Sequence, residues 1–287
     1  MTHARTLVTA FLLFFSAALD AQAVAPRIEH IGINVADAQA VVAWYAAHLG
    51  FSVLRKGPAP QYSTVITDSS HATMALEIYQ NAEHPLLSPD TMHPMALHLA
   101  LAVDSLEEVT ERLLKAGARV AEAQKQTASG DRVITLRDPW GFSLQLVRRV
   151  HPMLHNRGLS LEHVAFNVED ARAKAAWLSD NLGCVTVREG KPPAYSMFIA
   201  DSSRHMMIEL YQDARYPRLD FNDLDYMATH FAFAVPDVAQ TKARLLKAGA
   251  HVAEEMKQLP NGDTVLMLRD PWGQPLQIVH RVTPIFP

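Results

Sequence analysis

Glu29-His30-Ile31-Gly32-Ile33-Asn34-Val35 returns 133 positions later as Glu162-His163-Val164-Ala165-Phe166-Asn167-Val168. Leu113-Leu114-Lys115-Ala116-Gly117-Ala118 returns as Leu245-Leu246-Lys247-Ala248-Gly249-Ala250, and Leu136-Arg137-Asp138-Pro139-Trp140-Gly141 as Leu268-Arg269-Asp270-Pro271-Trp272-Gly273, both offset by 132. An internal repeat of this length constrains the fold strongly, because whatever one half builds the other must build as well. One residue is lost between the copies near His71, and the polar segment His151 to Ser160, with its Pro and Gly, joins them. The expected division is a leader over 1–23, a first domain over 24–150, a linker over 151–160 and a second domain over 161–287.

Each half divides again. Leu97-His98-Leu99-Ala100-Leu101-Ala102-Val103 and Thr229-His230-Phe231-Ala232-Phe233-Ala234-Val235 read as opening strands of further units, and a helical stretch follows each opening strand. The first helix starts after Asp37 as N-cap, carries Val41, Val42, Trp44, Tyr45 and Leu49, and stops at Gly50. The second starts with Ser105 and Glu108 in capping-box spacing and ends at Gly117. Apolar and β-branched runs then alternate with turn signals such as Ser129-Gly130-Asp131 and Asp138-Pro139-Trp140-Gly141. The fold class is therefore α+β, with four βαβββ modules in one chain.

Composition excludes several functions. The formal charge of −4 without a basic cluster gives no electrostatic footprint for nucleic acid. A single cysteine makes neither an internal disulfide nor a thiolate zinc site, so any metal must be held by nitrogen and oxygen. At the start, Met1 to Arg5 is cationic, Leu7 to Leu19 is a run of 13 uncharged residues, and Ala21-Gln22-Ala23 suits a signal peptidase. The expectation is a cleaved signal peptide and a periplasmic or secreted protein. Such a run is short of the roughly 20 apolar residues that span a bilayer, so no stable membrane insertion is expected after cleavage. Nothing in the sequence sets the oligomeric state.

Strand alternation puts His30, Gly32 and Asn34 on one face and Ile31, Ile33 and Val35 on the other. The apolar face must pack under the helices, so His30 faces the opposite compartment. In Met74-Ala75-Leu76-Glu77-Ile78-Tyr79 the same reasoning turns Glu77 and Tyr79 toward His30. His98 and Gln145 alternate with leucines in the same way. Spacings along the chain are 47, 21 and 47 through His30, Glu77, His98 and Gln145, and 46, 21 and 47 through His163, Glu209, His230 and Gln277. A carboxylate on an apolar strand is costly to bury unless it is paired or binds a cation. Two imidazoles, one carboxylate and one amide oxygen per half suit Fe(II), Mn(II), Ni(II) or Zn(II). Glu77 and Glu209 are the candidate catalytic bases, and Tyr79, Tyr211, Asn34 and Asn167, on the same faces, are the candidate substrate contacts.

The quarter repeat, the Glu-His-Ile-Gly strand, the helix ending Leu-Gly-Phe and the Asp-Pro-Trp-Gly hairpin together resemble the vicinal oxygen chelate superfamily. That group includes glyoxalase I, extradiol ring-cleaving dioxygenases, methylmalonyl-CoA epimerase, fosfomycin-resistance enzymes and bleomycin-binding proteins. The resemblance covers residues 28 to 282 and implies two domains, each a partly open barrel of two modules with a divalent metal on its concave face. Its ligand positions, on the first and last strands of each module, match the eight residues His30, Glu77, His98, Gln145, His163, Glu209, His230 and Gln277. Gln145 and Gln277 depart from the glyoxalase pattern, which usually has glutamate there, so ligand and base duties fall together on Glu77 or Glu209. The implied function is a metal-dependent lyase, isomerase or ring-cleaving dioxygenase acting on a small substrate with adjacent oxygens. The alternative is a metal-free protein that binds or sequesters a small molecule. Module one can close with module two, giving His30, Glu77, His98 and Gln145 in one site, or with module four, giving His30, Glu77, His230 and Gln277.

Overall fold

The computed structural model describes residues 25–68, 75–154, 158–192, 195–204 and 206–286. The expected leader over 1–23, Met74 and part of the linker lie outside the described residues. Four βαβββ modules follow one another. Module one comprises β1 (Arg27–Asn34), α1 (Ala38–Leu49), β2 (Ser52–Lys56), β3 (Thr64–Thr67) and β4 (Ala75–Tyr79). Module two comprises β5 (Leu97–Ala102), α2 (Leu106–Lys115), β6 (Arg119–Gln126), β7 (Arg132–Arg137) and β8 (Ser143–Arg148). The third has β9 (Ser160–Asn167), α3 (Ala171–Leu182), β10 (Val185–Glu189), β11 (Tyr195–Ala200) and β12 (Met207–Gln212). Last come β13 (Thr229–Ala234), α4 (Val238–Lys247), β14 (His251–Gln258), β15 (Thr264–Arg269) and β16 (Pro275–His280).

The helix ends follow from local chemistry. Asp37, Ser105, Asp170 and Asp237 each accept a hydrogen bond from the backbone N–H three residues on, satisfying a donor that the first turn leaves free. Gly50 and Gly183 stop α1 and α3 at φ 69°, a left-handed backbone that favours glycine.

Two eight-stranded sheets result, in the orders β14-β15-β16-β13-β1-β4-β3-β2 and β10-β11-β12-β9-β5-β8-β7-β6. Within each module the first and last strands pair in parallel. The modules meet through antiparallel pairs of first strands, β1 with β13 and β5 with β9. Module one therefore closes with module four and module two with module three. Each sequence half gives one module to each sheet, and neither the stretch 24–150 nor 161–287 builds a sheet of its own.

The helices keep the other partnership. Trp44 Nε1 donates to the Ala116 carbonyl and Trp177 Nε1 to that of Ala248, tying α1 to the end of α2 and α3 to the end of α4. One apolar core receives all four helices, through Val41, Leu106, Leu178 and Val238, and both sheets, through Ile31, Ile33, Leu99 and Leu101. Phe166 of β9 and Phe231 of β13 meet within it, their ring centroids 5.1 Å apart. Apolar side chains of the first strands thus fill the core, which leaves the alternate positions for the sites. Among the described residues, no helix is long and apolar enough to cross a membrane.

Candidate metal centres

The sheet register gathers the polar positions into two clusters. Glu77 lies opposite Gly32 and Gly32 opposite His230, with His30 two residues before Gly32 on the same face. In the other sheet Glu209 lies opposite Ala165 and Ala165 opposite His98, with His163 two residues before. The potential ligand atoms of His30, Glu77 and His230 lie within 4.8 Å of one another, and so do those of His98, His163 and Glu209. Gly32 makes room for the first cluster, since a Cβ there would lie 2.4 Å from His230 Cε1.

In the first cluster His30 Nε2 is 3.0 Å from Glu77 Oε2, and Ser63 Oγ donates to Glu77 Oε1 over 2.5 Å. In the second, His163 Nε2 is 3.2 Å from Glu209 Oε2, and Ser196 Oγ donates to Glu209 Oε1 over 2.5 Å. All four imidazoles are buried, whereas the glutamate side chains keep 16% and 15% exposure. Solvent therefore touches each cluster from its carboxylate side.

Burial would raise the glutamate carboxyls, but the neighbouring imidazoles outweigh it. Glu77 is held well below the ordinary carboxylate range by His30, His230 and Ser63, and Glu209 is lowered to about 2 by His163, His98 and Ser196. Burial also opposes charge on His30 and His163, yet the carboxylates on both sides raise their pKa. His230 and His98 are lowered to about 3, first by burial and then by His30 and His163. Each cluster thus pairs an anionic carboxylate with one imidazole that favours its charged form and one that is neutral. The Nε2 atoms of His30 and His163 face the Glu77 and Glu209 carboxylates, and those of His98 and His230 are buried without a hydrogen bond among the described residues. Buried nitrogens left in that state are costly, and their convergence with a carboxylate is the donor set of a divalent transition metal.

The glutamines stand in adjoining positions. Gln277 shares a sheet row with His30 through Ala232, and Gln145 shares one with His163 through Ala100. The Gln277 amide nitrogen is turned to Met267 Sδ at 3.7 Å.

The expected substrate contacts divide. Asn34 Nδ2 donates to the carbonyls of Asn81, His84 and Pro85, while its Oδ1 accepts from Asn81 N. Asn167 makes the matching set with Asp213, Tyr216 and Pro217. This corrects the expectation for both asparagines, whose amides are spent on tying the chain that leaves β4 or β12. Tyr79 OH donates to the Met227 carbonyl and lies 3.4 Å from His230 Nδ1. The Tyr211 hydroxyl has no hydrogen-bond partner among the described residues. Burial, reinforced by Glu77 or Glu209, raises both phenols, so they stay protonated.

Sequence reasoning passed over Ser63 and Ser196, which fix the carboxylates, although their recurrence 133 positions apart is the same signal that marked the histidines. A cleft of about 580 Å³ lies away from both clusters, between α3, residues 218–222 and the Pro271-Trp272 turn.

A family model described as the Glyoxalase/Bleomycin resistance protein/Dioxygenase superfamily matches residues 27–146 and 160–278. The lactoylglutathione lyases of Salmonella typhimurium and Salmonella typhi are each 27% identical over 128 residues, covering 42% of this chain and 91% of the relative. The structure of glyoxalase I from Zea mays aligns with a TM-score of 0.70 at 18% identity, over 89% of this chain and 92% of that one.

Proposed function

The chain belongs to the Glyoxalase/Bleomycin resistance protein/Dioxygenase superfamily, and on that premise we propose that it is a divalent-metal-dependent enzyme acting on a small substrate with two adjacent oxygens. Lyase or isomerase chemistry and oxygen-dependent ring cleavage share this requirement. The observation that carries the reading is the pair of buried His, His, Glu clusters, whose potential ligand atoms converge within 4.8 Å while the Nε2 atoms of His98 and His230 find no hydrogen bond among the described residues. His30, Glu77 and His230 would hold one ion, with Gln277 beside them, and His98, His163 and Glu209 the other, with Gln145 beside them. When bound, the metal supplies Lewis-acid polarisation of the substrate oxygens.

The remaining work falls on the chain. Glu77 and Glu209, each fixed at Oε1 by a serine and open to solvent, would accept and return a substrate proton at Oε2. Tyr211 OH, without a hydrogen-bond partner among the described residues, would donate to a substrate oxygen, whereas Tyr79 is held by Met227. The buried imidazoles keep water from the inner side of each site.

Elemental analysis of the reconstituted mature protein tests this reading, with two metal equivalents per chain expected. Metal well below one equivalent, together with ligand binding indifferent to chelators, would sink it in favour of a metal-free binding protein. An oxygen electrode with catechols, run beside an assay for lactoylglutathione formation, separates ring cleavage from the lyase reaction named for the Salmonella relatives. We also propose export through the leader read over 1–23. N-terminal sequencing of protein from the periplasm or medium should begin at Val24, and a chain still starting at Met1 there would refute the cleavage.

A further inference from the structure

The motif Glu29-His30 is repeated as Glu162-His163, and neither its glutamates nor their position is explained by ligation or proton transfer. Neighbours on a regular strand point to opposite faces, so a glutamate beside an inward histidine should point away from it. The backbone breaks that rule in both copies. In β1 the pairing with β13 runs from Ile28 opposite Phe233 to His30 opposite Ala232, so Glu29 is the extra residue of a β-bulge. In β9 it runs from Leu161 opposite Leu101 to His163 opposite Ala100, so Glu162 is the extra residue there. A bulge of this kind re-aims a side chain.

Here it brings Glu29 Oε2 to 3.0 Å from His30 Nδ1, and Glu162 Oε2 to 3.0 Å from His163 Nδ1. Each carboxylate is then clamped from behind. Arg281 Nη2 donates to Glu29 Oε2 over 2.6 Å and its Nε reaches both oxygens at 3.1 Å, while Arg149 grips Glu162 at 2.7 and 2.8 Å. The arginines are fixed in turn by Asp263 and Asp131, both at 3.0 Å. Arg281 follows β16 and Arg149 follows β8, so each clamp comes from a strand other than the one it holds.

We propose that Glu29 and Glu162 are positioning residues, which act through His30 and His163 by accepting from Nδ1–H and so presenting Nε2 to the metal. The assignment rests on the metal-dependent reading above. A carboxylate behind a ligating imidazole fixes the ring's tautomer and orientation and increases its basicity. The arginine keeps that carboxylate ionised and in place. In the first sheet the same ion pair joins module one to module four, so ligand orientation depends on the module exchange that completes the site.

The test is zinc affinity by chelator competition, together with the visible spectrum of the Co(II)-loaded protein, for wild type, E29Q/E162Q and E77Q/E209Q. E29Q/E162Q is expected to take up two equivalents at saturation, with affinity lowered about 10- to 100-fold and an altered Co(II) spectrum. E77Q/E209Q is expected to lose binding. Wild-type affinity and spectrum in E29Q/E162Q would overturn the assignment alone, as a purely structural ion pair requires. Failure of the wild type to bind zinc would overturn it together with the metal reading. Should E29Q/E162Q fail to fold around its buried arginines, E29D/E162D keeps their counter-charge while drawing the carboxylate back by about 1.5 Å. It is read by the same two outcomes.

Discussion

Replacing Glu77 by Gln is expected to remove one of the two bound metal equivalents, and adding His230→Ala to that variant is expected to remove nothing more. Adding His98→Ala instead should remove the second equivalent. The expectation follows from the sheet order, which puts His230 beside Glu77 and places His98 in the other sheet beside Glu209. Glutamine can still accept from Ser63 but offers the metal a neutral amide in place of a carboxylate, while the geometry around it is kept. Elemental analysis of E77Q, E77Q/H230A and E77Q/H98A reads the result directly. If E77Q/H98A keeps a full equivalent, the halves of the chain close on themselves in solution and the grouping is wrong.

Much of this architecture is legible in the sequence because two periodicities coincide. The repeat marks four modules, and alternation within each opening strand separates the core residues Ile31 and Ile33 from His30. Helix boundaries at Asp37, Gly50 and Ser105 follow from caps whose chemistry is local. Module pairing is not legible, because both pairings bring together the same residue types in the same strand positions. The pairing is seen only in the structure, where β1 lies against β13 and β5 against β9.

The site shows the same limit. Asn34 and Asn167 share the ligand face, so alternation alone sends them to the substrate, whereas their carbonyl partners lie about 50 residues on in loops that no strand pattern describes. The bulges were visible as a phase slip that strict alternation ignores. Ile28 and Leu161 are three residues before Ile31 and Val164, yet all four reach the core. An apolar residue out of phase beside a repeated glutamate is the signal that an extra residue stands between them.

The two copies of the Asp-Pro-Trp-Gly hairpin should respond in opposite ways to the same substitution. Asp138 and Asp270 each accept from two backbone N–H groups through Oδ1, those of Trp140 and Phe142 and of Trp272 and Gln274. Their second oxygens differ. Asp138 Oδ2 accepts from the Tyr45 hydroxyl at 3.1 Å, whereas Asp270 Oδ2 faces Lys174 Nζ at 2.6 Å, with both charged side chains almost wholly buried. Burial, only partly offset by its donors, raises the Asp138 carboxyl to about 6 from an ordinary 3.8. Its folded form thus binds the proton more tightly than the unfolded chain does. The contribution to stability is fully present below about pH 4 and is lost as pH rises through about 6, a change of about 3 kcal/mol.

Asp138→Asn removes that loss, because the amide oxygen keeps both backbone bonds and the amide nitrogen can donate to Tyr45. Relative to wild type, the variant should gain about 3 kcal/mol between pH 4 and pH 7, read from urea midpoints at the two values. Asp270→Asn instead strands a buried ammonium whose pKa burial already lowers, and should cost about 3–5 kcal/mol at pH 7. Adding Lys174→Met to Asp270→Asn should recover most of that cost by removing the orphaned charge. Equal destabilisation of the two aspartate variants at pH 7 would mean that the turn's backbone bonds, common to both copies, outweigh what faces the second oxygen.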